Sequence, residues 1–243
     1  MKGSVIWVES VDSTNEEMKR RLKQENSLKN FDAIVANFQT NGKGQREAKW
    51  ESQSGENLTF SLYFQPNNLK VLDAFKLNQA VSILISDFLK SLGLKNVQVK
   101  WPNDIMVNEK KICGVLTENI LSKDELIESI IGIGLNVNQF KILSNSNSTS
   151  ISNEMHEYYL IRIIAEELIG YLEKVQDFVN RPLLLQNRYL ELLLGLNETR
   201  KFAIDDRQVE GKIVGINSTG KLRVLIDQEE QLFEQKQIRF LFE

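Results

Sequence analysis

Residues 100–116 read KWPNDIMVNEKKICGVL, and the folding of this segment decides what the chain presents. Pro102 fixes its own φ and pushes Trp101 to an extended conformation, so the chain bends there. Asn103 and Asp104 sit at the bend, and Ile105-Met106-Val107 reads as a short strand. Asn108-Glu109-Lys110 signals a tight turn, after which Lys111 opens a returning strand from Ile112 to Glu118. The hairpin carries Lys111 back towards Asp104. Lys100, Asn103, Asp104, Lys111 and the close-approach residue Gly114 are thereby gathered in one place. A solvated hairpin with no chemistry is the bland alternative for this segment alone.

Working outward, Ser4 to Val8 reads as a first strand. Ser13-Thr14-Asn15-Glu16 has the form of a capping box, with Ser13 capping and Glu16 reciprocating. The helix it starts runs to about Gln24, with Met18 and Leu22 on one face. Ala33 to Phe38 and Leu58 to Phe64 read as strands, separated by a polar, glycine-containing loop from Gln39 to Gln53 that holds Trp50. Leu72 to Leu92 is a long amphipathic helix. Leu126 to Asn138 (LIESIIGIGLNVN) reads as a buried strand interrupted by Gly132 and Gly134, where glycine marks close approach by a backbone or ligand. A polar loop follows from Ser144 to Ser152, then two helices. The first carries Ile161, Ile164, Leu168 and Val175 at helical spacing, and the second begins near Pro182. Leu196-Asn197-Glu198 reads as a linker. From Thr199 to Glu243 the pattern changes to short strands and turns, with Leu222, Val224 and Ile226 alternating, as expected of a small β-barrel.

Composition narrows the function classes. The 243 residues, 42% hydrophobic and 26% charged with a net charge of −3, are those of an ordinary globular protein. Acids and bases are interspersed, so there is no basic footprint for nucleic acid. The single cysteine, Cys113, excludes an intrachain disulfide and reads as a buried, inert thiol. The single histidine, His156, has no cluster with which to hold zinc. No run is long enough for a membrane span, and the apolar run from Val5 to Val8 is too short for a signal peptide. The expectation is a cytoplasmic protein.

Two segments look like phosphate binders. Gly215 to Lys221 (GINSTGK) nearly satisfies a P-loop, but Leu222 stands where Ser or Thr is needed and a strand follows where a helix is required, so it is a hairpin turn. The loop Gln39 to Trp50 (QTNGKGQREAKW) is the better candidate. Gly42 and Gly44 let backbone N–H groups line a concavity, and Lys43, Arg46 and Lys49 add positive charge. Taken with the bend, the lysine hairpin and the strand bearing Gly132 and Gly134, it suggests one pocket for a carboxylate and a triphosphate.

On these residues the sequence resembles the bacterial biotin–protein ligases over nearly its whole length. The matching elements are Ser13-Thr14-Asn15, Gln39 with the glycine loop, KWPND at Lys100 to Asp104, KxxGVL from Lys111, and GIGLN at Gly132 to Asn136. The resemblance implies an α/β (α+β) catalytic domain with a mixed sheet flanked by helices, over residues 1–196, and an SH3-like barrel over 197–243. It implies that ATP and biotin give biotinyl-5′-AMP, from which biotin passes to a lysine of a biotin carboxyl carrier domain of a carboxylase. Biotin contacts carry over to Ser13, Thr14, Asn15, Gln39, Gly42, Lys43, Gly44, Lys111, Gly114 and Gly132. Nucleotide contacts carry over to Gln45, Arg46, Trp50, Asn103 and Asn136. Mg²⁺ is expected with the ATP and not at a dedicated protein site. Family members that bind operator DNA carry an N-terminal helix-turn-helix; here the first strand begins almost at Met1, so no repressor function, nucleic acid or membrane partner is expected. The assembly is expected to be a monomer or homodimer.

One departure stands out. Family members commonly read Gly-Arg-Gly-Arg-x-Gly-Arg in the glycine loop, whereas Gln45 and Ala48 stand here where arginines are usual, leaving Arg46 as the loop's arginine for the phosphates. Lys111 is expected to bridge the biotin carboxylate and the phosphate, cancelling the repulsion of two anions. Asp104 is the acid expected to orient the incoming lysine or accept its proton. The rival readings are a lipoate–protein ligase-like acyl-adenylating enzyme and a non-catalytic ligand-sensing module.

Overall fold

The computed structural model describes residues 3–25, 28–44, 49–140, 147–205 and 207–242. Its larger sheet follows the order β1-β2-β3-β8-β7-β6-β5, with β1 at Val5–Val11, β2 at Ala33–Gln39, β3 at Asn57–Phe64, β5 at Val97–Lys100, β6 at Asp104–Val107, β7 at Lys110–Ser122 and β8 at Glu125–Asn136. The short β4, Leu69–Lys70, also pairs with β8. Only β1 and β2 run parallel, joined across the sheet by α1, Thr14–Glu25; β2 with β3 and every later neighbour pair is antiparallel. The sheet is mixed, as expected.

Period-two alternation gives the sheet two different faces. Leu58, Phe60, Leu62 and Phe64 of β3 join Ile131, Ile133 and Leu135 of β8 in the main core. That core also takes the buried face of α2, Phe75–Ser91, with Leu77, Val81, Leu84, Ile85 and Phe88, and of α4, Ile161–Leu172. On the opposite face a small cluster of Met18, Ile34, Tyr63 and Ile130 seats α1, with Leu22 packed against it. The α1 face also carries the row that makes the pocket, because Gly114 pairs with Gly134, Leu116 with Gly132, Gly132 with Ser61 and Gly134 with Thr59. Gly114 and Gly134 in facing positions, with Gly132 two residues along the same face, leave a trough in an otherwise filled surface.

Several expectations shift in detail. The β6–β7 turn is only two residues, Asn108 and Glu109, both at positive φ (49° and 61°). Such a turn matches the strand twist, so Lys110 already lies in the strand instead of in the turn. The capping box does not form: Asp12 Oδ1 accepts from the Ser13 N–H at 2.8 Å, and Glu16 pairs with Lys19 and Lys43. The long helix begins at Phe75 after a single 3₁₀ turn over Val71–Asp73. Ser150 caps a short helix α3, Ile151–Met155, which begins inside the stretch read as polar loop; residues 144–146 of that stretch lie outside the described residues. Val175 belongs to α5, Val175–Val179, because the chain leaves helical geometry at Lys174. The last helix, α6, is Pro182–Leu192 and does begin at its proline.

The C-terminal segment forms a five-stranded antiparallel sheet in the order β12-β11-β10-β9-β13. These are β9, Thr199–Ile204; β10, Arg207–Ile216; β11, Leu222–Ile226; β12, Glu229–Phe233; and β13, Arg239–Phe240. Leu222, Val224 and Ile226 point inward, as their alternation predicts, and join Phe202, Ile213, Phe233 and Phe240 in a core continuous with the main one. Gly220, at φ +87°, lies so close to Phe75 that a Cβ would overlap its ring. The Trp101 indole donates to the Gly220 carbonyl at 2.8 Å, so the bend at 101–103 is tied directly to this sheet.

Candidate active site

The trough at Gly114, Gly132 and Gly134 is the floor of a pocket walled by the start of α1, the end of β2, the loop after it, the bend before β6 and the start of β7. A Cβ at Gly132 would overlap the Asn15 amide, and one at Gly134 the Trp50 indole. Glycine is required at both positions because side chains from distant segments lie flat on the sheet there.

One end of the pocket is a neutral hydrogen-bonding cluster. Ser61 Oγ is 2.7 Å from Thr14 Oγ1 and 2.5 Å from Asn15 Oδ1. Having one proton, Ser61 donates to the Asn15 oxygen, which only accepts, and accepts from Thr14. Asn15 Nδ2 donates to Glu118 at 2.7 Å, and Glu118 is paired with Lys19 at 2.7 Å. The Thr14 N–H donates to Gln39 Oε1 at 2.8 Å, which turns the Gln39 amide N towards Gly42 and the loop. Each amide is thereby locked in one orientation.

The other end is charged. Asp104 Oδ1 is 2.6 Å from Lys111 Nζ and Oδ2 is 3.1 Å from Lys100 Nζ. Burial pushes the Asp104 carboxyl up, and the two ammonium groups more than reverse this, holding it below the ordinary carboxylate range. Asp104 is therefore ionised at neutral pH. The Lys111 backbone is pinned on its second edge by residues 147–149: its N–H donates to Asn147 O at 3.0 Å and its carbonyl accepts from Thr149 N at 2.9 Å. Its ammonium lies 5.7 Å from the Trp50 ring centroid. Burial raises the Cys113 thiol well above its usual value, as an inert role requires. Among the described residues no three His, Cys, Asp or Glu side chains cluster to hold a metal. No helix among them is long and apolar enough to cross a membrane.

Of the residues singled out from sequence, Ser13, Thr14, Asn15, Gln39, Lys43, Gly44, Trp50, Asn103, Asp104, Lys111, Gly114 and Gly132 line this one pocket. Gly42 lies on an adjoining surface with Gln39 and Trp50, where its carbonyl accepts from the Trp50 N–H at 3.0 Å. Asn136 is buried to one side, its amide donating to Thr149 O at 3.0 Å. Asn103 also has a structural duty, its amide donating to the Val115 carbonyl. Gln45 and Arg46 lie outside the described residues. Gly134 and Lys49, also read from sequence as part of this site, line the pocket too, whereas sequence reasoning missed Val115, Leu116, Ile133 and Gln235 as pocket residues, and Ser61 and Glu118 as the supports of Asn15.

Residues 7–136 match the model of the Biotin/lipoate A/B protein ligase family, and within that span lie every described strand and side chain of the pocket except Gln235. The chain belongs to this family. Among its members, the bifunctional ligase/repressor BirA of Escherichia coli (strain K12) is 29% identical over 93% of this chain and 70% of its own length. The biotin–[acetyl-CoA-carboxylase] ligase of Paracoccus denitrificans is 30% identical over 52% of this chain and 51% of its own. The biotin protein ligase from Aquifex aeolicus in complex with biotin and ATP superimposes with a TM-score of 0.78 at 27% identity, covering 97% of each chain. The mixed sheet and its flanking helices are thus the family's fold, and these three relatives are ligases, one of them a biotin protein ligase in complex with biotin and ATP.

Proposed function

We propose that this chain is a biotin–protein ligase that forms biotinyl-5′-AMP from biotin and ATP and passes the biotinyl group to a lysine of a biotin carboxyl carrier domain. The observation that carries the reading is the pocket's polarity: a neutral, locked cluster at Thr14, Asn15 and Gln39 and a lysine–aspartate pair at the other end, joined by a glycine floor. A ureido ring has one carbonyl and two N–H groups and suits the neutral end. A valerate carboxylate and a phosphate suit Lys111.

In the first step a biotin carboxylate oxygen attacks the α-phosphorus and pyrophosphate leaves. Two anions must meet, and Lys111, held in β7 between β6 on one side and residues 147–149 on the other, offers a point charge between them. Mg²⁺ enters with the triphosphate. Arg46 of the glycine loop is the further cation proposed for the phosphates. In the second step the neutral ε-amine of the acceptor attacks the acyl carbon, AMP leaves, and the amine loses its proton. Asp104, ionised and beside Lys111, is the group proposed to orient that amine or take the proton. The assembly is read as two units divided near residue 196, with Gln235 brought to the pocket by the second.

Biotin-dependent exchange of labelled pyrophosphate into ATP tests the reading, with biotinylation of an added carrier domain as the second readout. Exchange supported by lipoate and not by biotin would move the chain to the lipoate branch of the family.

A further inference from the structure

We propose that Lys100 is a positioning residue that keeps the Asp104 carboxylate in place when Lys111 is drawn to the substrate's anions. The inference rests on the ligase reading above and concerns the division of labour between two lysines that share one acid.

The two lysines hold different oxygens of Asp104, Lys111 on Oδ1 and Lys100 on Oδ2, and they face different ways. Lys111 lines the pocket beside Asp104, whereas Lys100 does not. Without substrate, Lys111 has Asp104 as its carboxylate partner. A carboxylate and a phosphate entering the pocket compete for that same ammonium, and an ammonium pointed at two substrate anions no longer sits 2.6 Å from Asp104. A half-buried carboxylate that loses its nearer counter-charge either takes up a proton or turns away.

Lys100 prevents both. It is the direct cross-strand partner of Asp104, since Lys100 of β5 pairs with Asp104 of β6 in the ladder, so their separation is set by the backbone and not by two free side chains. Its ammonium is 5.7 Å from the ring centroid of Phe242, which confines the lysine from the C-terminal side. The titratable groups facing Asp104 are Lys100 from β5, and Lys111 with the Cys113 thiol from β7; Lys43 and Lys49 line the same pocket. Of these, Lys100 alone touches Asp104 from outside the pocket. Adenylation needs Lys111 on the substrate, and transfer needs Asp104 ionised and aimed at the acceptor amine. Lys100 lets both conditions hold at once.

The test separates the two steps in Lys100→Met, which keeps the stem and removes the charge, and in Lys100→Arg, which keeps the charge. Biotin-dependent pyrophosphate exchange reports adenylation. Single-turnover transfer from preformed biotinyl-adenylate to a carrier domain, followed from pH 4 to 9, reports the second step. Lys100→Met should keep exchange within about threefold of the unsubstituted chain and lose about tenfold or more in transfer at neutral pH. The pH below which transfer falls more steeply should rise by about one unit, the size expected for loss of one adjacent charge. Lys100→Arg should restore both rate and profile. An unshifted profile in Lys100→Met, a parallel fall of both steps, or an equal shift in Lys100→Arg would overturn the inference. If the unsubstituted chain makes no biotinyl-adenylate, the ligase reading fails and this inference falls with it.

Discussion

The indole of Trp50 lies across Gly134, in the space that a Cβ on residue 134 would need. The same ring comes to 3.3 Å from the Cβ position of Gly114, and Gly114 and Gly134 are directly paired across β7 and β8. Trp50 is thus seated by the shape of two facing glycines and not by a hydrogen bond. Its Nε1 is buried with no partner among the described residues. A buried donor without a partner costs stability.

Gly134→Ala should therefore expel the ring. The methyl group would meet the indole core, which cannot give way as a flexible chain end can, and overpacking of this kind costs about 1–3 kcal/mol. Biotin and ATP affinity should each fall about tenfold or more, measured by calorimetry. Gly114→Ala should be milder, because its nearest neighbours include the mobile end of Lys111 at 3.2 Å. Unchanged affinity in Gly134→Ala would show that the ring's seat is irrelevant to ligand.

Lys111→Ala should abolish most adenylate formation while leaving the fold intact. Removing a preorganised charge from such a site costs on the order of 3–4 kcal/mol of transition-state stabilisation, or about 10²–10³ in rate. Lys111→Arg should recover only part of it, since a planar fork does not replace a point charge between two anions. Lys110→Ala is the control: its side chain is exposed and outside the pocket, so pyrophosphate exchange should be nearly unchanged. Equal loss in the two alanine variants would mean that the lysine has been misassigned.

The parts of the site legible in the sequence are those held by short-range geometry. The bend at Pro102 and the hairpin turn bring Lys111 to Asp104 within a few residues, and local turn chemistry is enough to foresee that meeting. Ser61 and Glu118 were missed because their partners in α1 lie 46 and 103 residues away. A signal for Ser61 does exist: in β3, Asn57, Thr59, Ser61 and Tyr63 alternate with Leu58, Phe60, Leu62 and Phe64, yet all eight are buried. A polar face on a central strand needs partners above it, and that face is the one beneath α1. The capping box misled for a related reason. Glu16 looks like a cap by spacing alone, but Lys19 and Lys43 offer it two cationic donors, and the Ser13 N–H it would accept from is already given to Asp12. No sequence pattern pointed to Gln235, which reaches the pocket only through the docking of the C-terminal sheet.

That docking gives a further prediction. Trp101→Phe should remove the bond from the indole to the Gly220 carbonyl and lower stability by about 1 kcal/mol. Gly220→Ala should cost more, about 2 kcal/mol or above, because it combines positive φ with overlap on Phe75. Denaturant unfolding orders the two. A larger loss in Trp101→Phe would mean that the hydrogen bond, and not the close approach of Gly220 to Phe75, holds the sheet in place.

The last prediction concerns the neutral end of the pocket, where affinity for biotin should depend on residues that do not touch it. Asn15 is held on both sides, by Ser61 at its oxygen and by Glu118 at its nitrogen, and it lies on Gly132. Ser61→Ala leaves the Asn15 oxygen without its donor, while the Thr14 hydroxyl keeps Gln39 Oε1 at 3.2 Å, a loss of about 1–3 kcal/mol. Glu118→Gln removes the charge that Lys19 pairs with and offers Asn15 a donor where it had an acceptor, so the amide can turn over. Either change should weaken biotin about tenfold and leave ATP affinity within about twofold, because the relay runs from α1 to β3 and β7 and does not reach the lysine–aspartate end. Calorimetric titration with each substrate separately gives both numbers. A parallel loss of biotin and ATP affinity would mean that the relay supports the sheet as a whole and not one end of the pocket.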